Sequence, residues 1–227
     1  MTPMQTFVAL ITNPTRAFNE LEKSPRFAAP MILLLVANIG LIIWFYAIVD
    51  VDSLVNHMLA ARPLTDAQRA QAAGLITRNT LLFGALFVGL LTLFVTQVVQ
   101  AFYFFFTYEF LDVQRSFRQW FALTWWCSLP QLITTAAAAV IILFSHASAS
   151  AGVLSPFSLN QLFFHFDPED NGYSLLNSIT LVQLLTVLLM VIGAHTWSKR
   201  SWVLDVVVVI LPRVVLYGIW AWFVFLR

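Results

Sequence analysis

Few residues in this chain have the type and spacing to do chemistry, and most of those stand inside long apolar stretches. Asp205 and Arg213 are the sharpest pair, both in the last apolar run, with Arg213 near its middle beside Pro212. An ionisable group at that depth is costly in hydrocarbon and needs a counter-charge, a water-filled cavity or another protein. Eight helical residues (213 − 205) span about 12 Å along the axis, so the two cannot pair on a straight helix. Arg213 therefore calls for a different partner: Glu109 or Asp112 if the second apolar helix approaches, or a carboxylate on another protein. A structural ion pair, a transport role and a contact with a partner subunit are the open readings. Gln97 and Gln100, three apart, share a face of the second run, and Asn177, Thr180 and Gln183 are spaced the same way on the fourth. Such faces serve either as a polar substrate path or as interhelical hydrogen bonding, which needs nothing beyond packing.

Other chemistry is harder to find. Asp167-Pro168-Glu169-Asp170-Asn171-Gly172 echoes the start of a calcium loop, but Ser178 stands where the bidentate Glu of the twelfth position belongs. An acidic, solvated turn accounts for the segment. His146 and His165 lie in the same loop without i, i+4 ligand spacing. Cys127 is the only cysteine, which excludes an intrachain disulfide, and its apolar surroundings mark a buried, inert thiol. There is no nucleotide-binding glycine loop and no Ser/His/Asp arrangement with motif character. The residues predict no enzyme, no catalytic residue, no metal and no cofactor.

The elements that must position these side chains follow from composition. Of 227 residues, 60% are apolar and only 10% are charged, with 21 Phe and 8 Trp. That is too little polar material to cover a water-facing surface, since ordinary soluble domains are about a quarter charged. A net charge of +1 gives no reason to expect a nucleic-acid partner. About 20 apolar residues cross the hydrocarbon core as a helix. Five runs qualify, Ala28–Val49, Leu81–Tyr108, Trp120–Phe144, Leu175–Trp197 and Val203–Leu226. The fold class is therefore all-α, a polytopic integral membrane helical bundle of five transmembrane helices forming a single membrane domain over 1–227. The first run starts too far in for a signal-peptide core, so the N-terminus stays on the mature chain.

Positive residues orient the bundle. With the N-terminus inside, the cytoplasmic side carries Arg16, Lys23, Arg26, Arg115, Arg118, Lys199 and Arg200, and the other side Arg62, Arg69, Arg78 and Arg227. N-in and C-out is favoured. Residues 3–27 read as short amphipathic interfacial helices, with Asn13 as N-cap, Pro14 at the first helical position and Ser24-Pro25 closing the segment. Thr65-Asp66-Ala67-Gln68 has the form of a capping box opening a polar helix towards Arg78. Ser155-Pro156 opens the run Phe157–Phe166, too apolar for water, which should lie on the membrane, pack on the spans or meet a partner.

Three motifs in order then carry a resemblance. Asn13-Pro14-Thr15-Arg16-Ala17-Phe18 with Ser24-Pro25-Arg26-Phe27 opens the chain. Ser116-Phe117-Arg118-Gln119 leads through aromatics to Leu129-Pro130-Gln131. Ser158-Leu159-Asn160 precedes Leu175-Leu176-Asn177-Ser178. Over nearly its whole length the chain resembles bacterial Yip-domain proteins. The resemblance implies a five-span protein without known enzymatic chemistry, in the bacterial cytoplasmic membrane. The eukaryotic branch is associated with vesicle traffic and Rab-type GTPases, through a longer cytosolic N-terminal region than the 27 or so residues here. Bacterial members can accompany ABC-type exporters. The function expected is a non-enzymatic accessory or scaffold subunit of such a complex, the partners being the lipid bilayer, another integral membrane protein and a possible second copy of the chain. The partner-binding residues expected are Arg213, Gln97, Gln100, Phe157, Phe163 and Phe164. An autonomous small-solute transporter or channel, and a bilayer-organising, trafficking-type protein, are the alternatives.

Overall fold

In hydrocarbon, backbone N–H and C=O groups must bond within the chain, so apolar runs of this length fold as helices. A computed structural model describes residues 1–60, 65–145, 155–167 and 169–226, apart from the side chains of residues 57, 58, 60 and 70. Arg62, His146, Pro168 and Arg227, which entered the charge and metal readings above, lie outside the described residues. The elements are α1 (Pro3–Thr12), α2 (Pro14–Lys23), α3 (Ala28–Ile48), α4 (Val51–Ala60), α5 (Asp66–Leu75), α6 (Arg78–Phe110), α7 (Phe117–Cys127), α8 (Gln131–Ser145), α9 (Tyr173–Ser178), α10 (Leu181–Ser198) and α11 (Trp202–Phe225), with a π-helical turn over Asn160–Phe164. Among the described residues, five segments are long and apolar enough to cross a membrane: α3, α6, Phe117–Phe144, α10 and α11. The protein is all-α, and its only extended pairing among the described residues is an isolated bridge between Ser158 and Thr180.

Local chemistry accounts for most boundaries. The Asn13 side chain accepts from the Arg16 amide at 3.1 Å and starts α2 with Pro14 in its first turn. Thr65 and Gln68 form the reciprocal capping box, Gln68 N to Thr65 Oγ1 at 3.3 Å and Thr65 N to Gln68 Oε1 at 3.0 Å. The helix it opens ends at Leu75, short of Arg78, because Thr77 caps α6 by accepting from Thr80 N at 3.2 Å. Arg78, the first residue of α6, donates to the carbonyls of Tyr46 and Val49, which α3 leaves without helical partners.

The third span is interrupted. Pro130 has no N–H to give and disfavours helical backbone at Leu129, so α7 and α8 are separated by a turn at 128–130. The fourth span corrects the sequence reading. Instead of one helix from Leu175, the chain forms α9, leaves the helix at Ile179 and Thr180, and restarts at Leu181. The segment before it takes the backbone bonds that a continuous helix would use: Leu159 N donates to Ile179 O at 2.8 Å and Leu181 N to Phe157 O at 3.0 Å. Asn177, Thr180 and Gln183 therefore do not share a helix face. Asn177 Oδ1 instead accepts from the Ser158 hydroxyl at 2.9 Å.

The chain divides into two compact units. One comprises Met1–Leu34, Leu93–Gln131 and Val182–Arg227, the other Leu35–Thr92 and Leu132–Leu181. In the first, Trp120 to Leu129 are all buried, so α7 is packed on every side. In the second, Phe45, Val49, Leu54 and Ile142 form a core, with Leu41, Trp44, Tyr46, Ile48, Val51 and Leu81 around it.

Candidate functional site

The densest polar constellation is at the α10–α11 hairpin, in the first unit. Three residues, 199–201, join the helices, so the last turn of one faces the first turn of the next. Ser201 caps α11, accepting from Leu204 N at 3.3 Å. Asp205, in the first turn of α11, has no solvent exposure. A buried carboxylate there is favoured by the helix N-terminus but needs its lone pairs filled. Its Oδ1 accepts from Tyr108 Oη at 2.7 Å and Ser198 Oγ at 2.9 Å. Its Oδ2 lies 3.0 Å from Ser198 Oγ and 3.0 Å from His195 Nδ1. The imidazole is stacked on Trp202, ring centroids 3.8 Å apart.

This hub is tied to the N-terminal helices through aromatics. Tyr108 stacks on Trp120 at 4.7 Å, Trp120 meets Trp197 edge-on at 5.3 Å, and Trp197 Nε1 donates to Phe18 O at 2.9 Å. Arg115 lies 2.6 Å from Glu22 Oε1 and donates to Trp197 O at 3.1 Å. Gln119 closes a capping box with Ser116 and extends its amide to Glu22 O at 2.8 Å. Trp126 Nε1 donates to Arg26 O at 2.7 Å, and Phe27 packs edge-on against Phe121 at 5.0 Å. The short motifs around Asn13, Ser24 and Ser116 thus clasp α2 to α7. Sequence reasoning missed His195, Ser198, Tyr108 and the Arg115–Glu22 pair. The available signal was the short connection 199–201, which forces His195 and Asp205 into neighbouring turns.

The residues singled out from the sequence fall in separate places. Gln97 is buried and donates to Ser128 Oγ at 2.8 Å, while its Oε1 has no partner among the described residues. Gln100 is half-buried and makes no side-chain hydrogen bond among the described residues. Arg213 is half-buried midway along α11. It pairs with neither Glu109 nor Asp112: its guanidinium donates to Val209 O at 3.0 Å and contacts Met190 Sδ at 3.3 Å. Asp112 instead lies 4.0 Å from Arg200, almost fully exposed, beyond the end of α6. Phe163 and Phe164, in the π-helical turn of the second unit, are exposed, and Phe157 is half-buried. That turn is closed by buried Asn160, whose Nδ2 donates to Phe166 O at 3.1 Å and whose Oδ1 accepts from Phe166 N at 2.9 Å. Asp170 accepts from Asp167 N at 2.8 Å in the acidic turn. Among the described residues no three His, Cys, Asp or Glu side chains converge as metal ligands would.

Comparison with curated proteins and with solved structures yields no significant match. The family model described as the Yip1 domain matches residues 8–227, a stretch that takes in the clasped α2, the buried α7 and the Asp205 hub. This multi-pass membrane protein belongs to the Yip1 domain family.

Proposed function

We propose that the protein is a non-enzymatic accessory or scaffold subunit of a membrane complex in the bacterial inner membrane. In this reading its N-terminus is cytoplasmic, its C-terminus is extracytoplasmic, and an ABC-type exporter is its partner. Arg213 carries the proposal. It is a guanidinium midway along a spanning helix, and no carboxylate lies within ion-pair distance among the described residues. One carbonyl and a thioether leave most of its five N–H donors without an acceptor, and hydrocarbon supplies none. A carboxylate on a neighbouring protein would complete it. The spans support this, since only 6% of the most apolar window of α6 and 17% of that of α11 are buried within the chain. Gln100 on α6, and Phe157, Phe163 and Phe164 outside the spans, are the further contact residues of this reading, together with Gln97, which is bonded to Ser128.

The test is purification of the tagged full-length chain from native membranes in mild detergent. An ATPase-bearing transporter should be recovered in stoichiometric amount with the wild type. With Arg213→Leu, insertion should be unchanged and recovery reduced roughly tenfold or more, as when one side of a buried charge pair is truncated. Equal recovery from wild-type and variant membranes removes Arg213 from the interface. Recovery of the protein alone across several detergents turns the reading towards autonomous transport, self-association or bilayer organisation. The last is favoured by one observation: Met4, Val8 and Ile11 of α1 are exposed as an interfacial helix would expose them.

A further inference from the structure

Beside the Asp205 hub, on its exposed side, is a groove lined by Thr15 and Asn19 of α2 with His195, Thr196, Lys199 and Trp202 of the α10–α11 hairpin. We propose that this groove binds a phosphoryl group, carried by an anionic lipid headgroup or as a free phosphate ion.

The lining has the chemistry of an oxyanion site. None of the six residues is acidic, and the Asp205 carboxylate bonded to the imidazole is fully buried. Its hold on Nδ1 fixes the ring, and His195 lines the groove. Thr196 spends its hydroxyl proton on Ile192 O at 2.7 Å. Thr15 and Asn19 are exposed and have no side-chain partner among the described residues, so a hydroxyl and an amide donor remain free on the α2 side of the groove. A phosphate accepts from several directions at once, which suits donors arriving from two separate elements.

Lys199 adds a second observation. Its backbone is left-handed, φ 54°, as the residue that ends α10, and its N–H donates to His195 O at 3.0 Å. Glycine or asparagine is the favoured residue in that conformation at a helix C-terminus. A lysine stands there in spite of the steric cost, and it lines the groove together with His195 and Trp202. Depth points the same way. The groove lies where α10 ends and α11 begins, the level at which an 18-residue span gives way to headgroups, and Trp202 is half-exposed there as interfacial tryptophans are.

The test uses full-length, delipidated protein in detergent, titrated by calorimetry with dioctanoyl phosphatidic acid, dioctanoyl phosphatidylcholine and inorganic phosphate. Wild type should bind phosphatidic acid well above phosphatidylcholine. Lys199→Gly should weaken that binding about tenfold, as loss of a charge-assisted contact does, and Asn19→Ala by a smaller factor. Glycine is at ease at φ 54°, so the thermal midpoint of Lys199→Gly should not fall. Inorganic phosphate that binds with the same dependence on Lys199 and displaces the lipid identifies the free ion as a ligand. Phosphate that neither binds nor displaces, while phosphatidic acid still depends on Lys199, identifies the headgroup. Binding of phosphatidic acid unchanged in both variants, or matched by phosphatidylcholine, overturns the proposal.

Discussion

Asp205→Ala is expected to destabilise the detergent-solubilised protein by about 3–5 kcal/mol, as loss of a buried, fully bonded charge does. The carboxylate is fully buried and is the acceptor for Tyr108, Ser198 and His195 at 2.7 to 3.0 Å. Alanine would leave the Tyr108 and Ser198 hydroxyls buried without this acceptor, each carrying a desolvation penalty of about 1–3 kcal/mol, and would free the partly exposed imidazole of His195. Tyr108 would also lose the bond that holds it flat against Trp120, so the loss should spread towards Trp197 and α2. Asp205→Asn retains one accepting oxygen and should cost about half as much, since its amide must face donors rather than acceptors. Thermal unfolding followed by tryptophan fluorescence reports both. A midpoint for Asp205→Ala equal to the wild type would mean the hub is not what secures the hairpin.

The second large effect is expected at Gly193. Its α10 backbone approaches α7 and α2 so closely that an added Cβ would stand 2.8 Å from Leu123 Cδ1 and 3.1 Å from Cε1 and Cζ of Phe18. Leu123 and Phe18 are themselves without exposure, so neither has open space to retreat into. Gly193→Ala can be met in part by rotation of the Leu123 terminus. Gly193→Val adds two further carbons and should cost about 1–3 kcal/mol by overpacking. The weakest element should yield first, and α2 is held to the bundle by Phe18, the Arg115–Glu22 pair and the bonds from Gln119 and Trp197, with Trp126 holding Arg26 just beyond it. Limited trypsin digestion of Gly193→Val is therefore expected to cut at Lys23 and Arg26 well before wild type is cut. Identical digestion rates would show that α2 does not depend on the close approach.

What was legible in the sequence and what was not divides along the range of the interactions. Asn13 and Thr65 were readable as caps because a cap bonds an amide three residues away. The break at Ile179–Thr180 was not readable, because it depends on bonds to Phe157 and Leu159, on the far side of the π-helical turn and α9. Local hydropathy saw one apolar run there and had no term for a neighbouring segment competing for its backbone. Arg213 was identified from its depth alone, but its contacts with Val209 and Met190 depend on how α10 and α11 pack.

The sequence by itself determined that the chain is helical, that it crosses a membrane, how many spans it has, and the short helices at the N-terminus and after Thr65, but not α4 or α9. Transfer of apolar residues from water and the need to satisfy backbone groups in hydrocarbon act on each segment independently. The tertiary structure alone decided that Asp205 is a buried acceptor, not a stray charge at a span end. Tyr108 is 97 positions away from it, and only packing of α6 against the α10–α11 hairpin brings its hydroxyl to the carboxylate. It likewise decided which cation keeps a structural partner. Arg115 meets Glu22 through the docking of α2, while no segment described brings a carboxylate to Arg213. Such pairings depend on three-dimensional proximity between segments far apart in the chain, which spacing along a single helix does not encode.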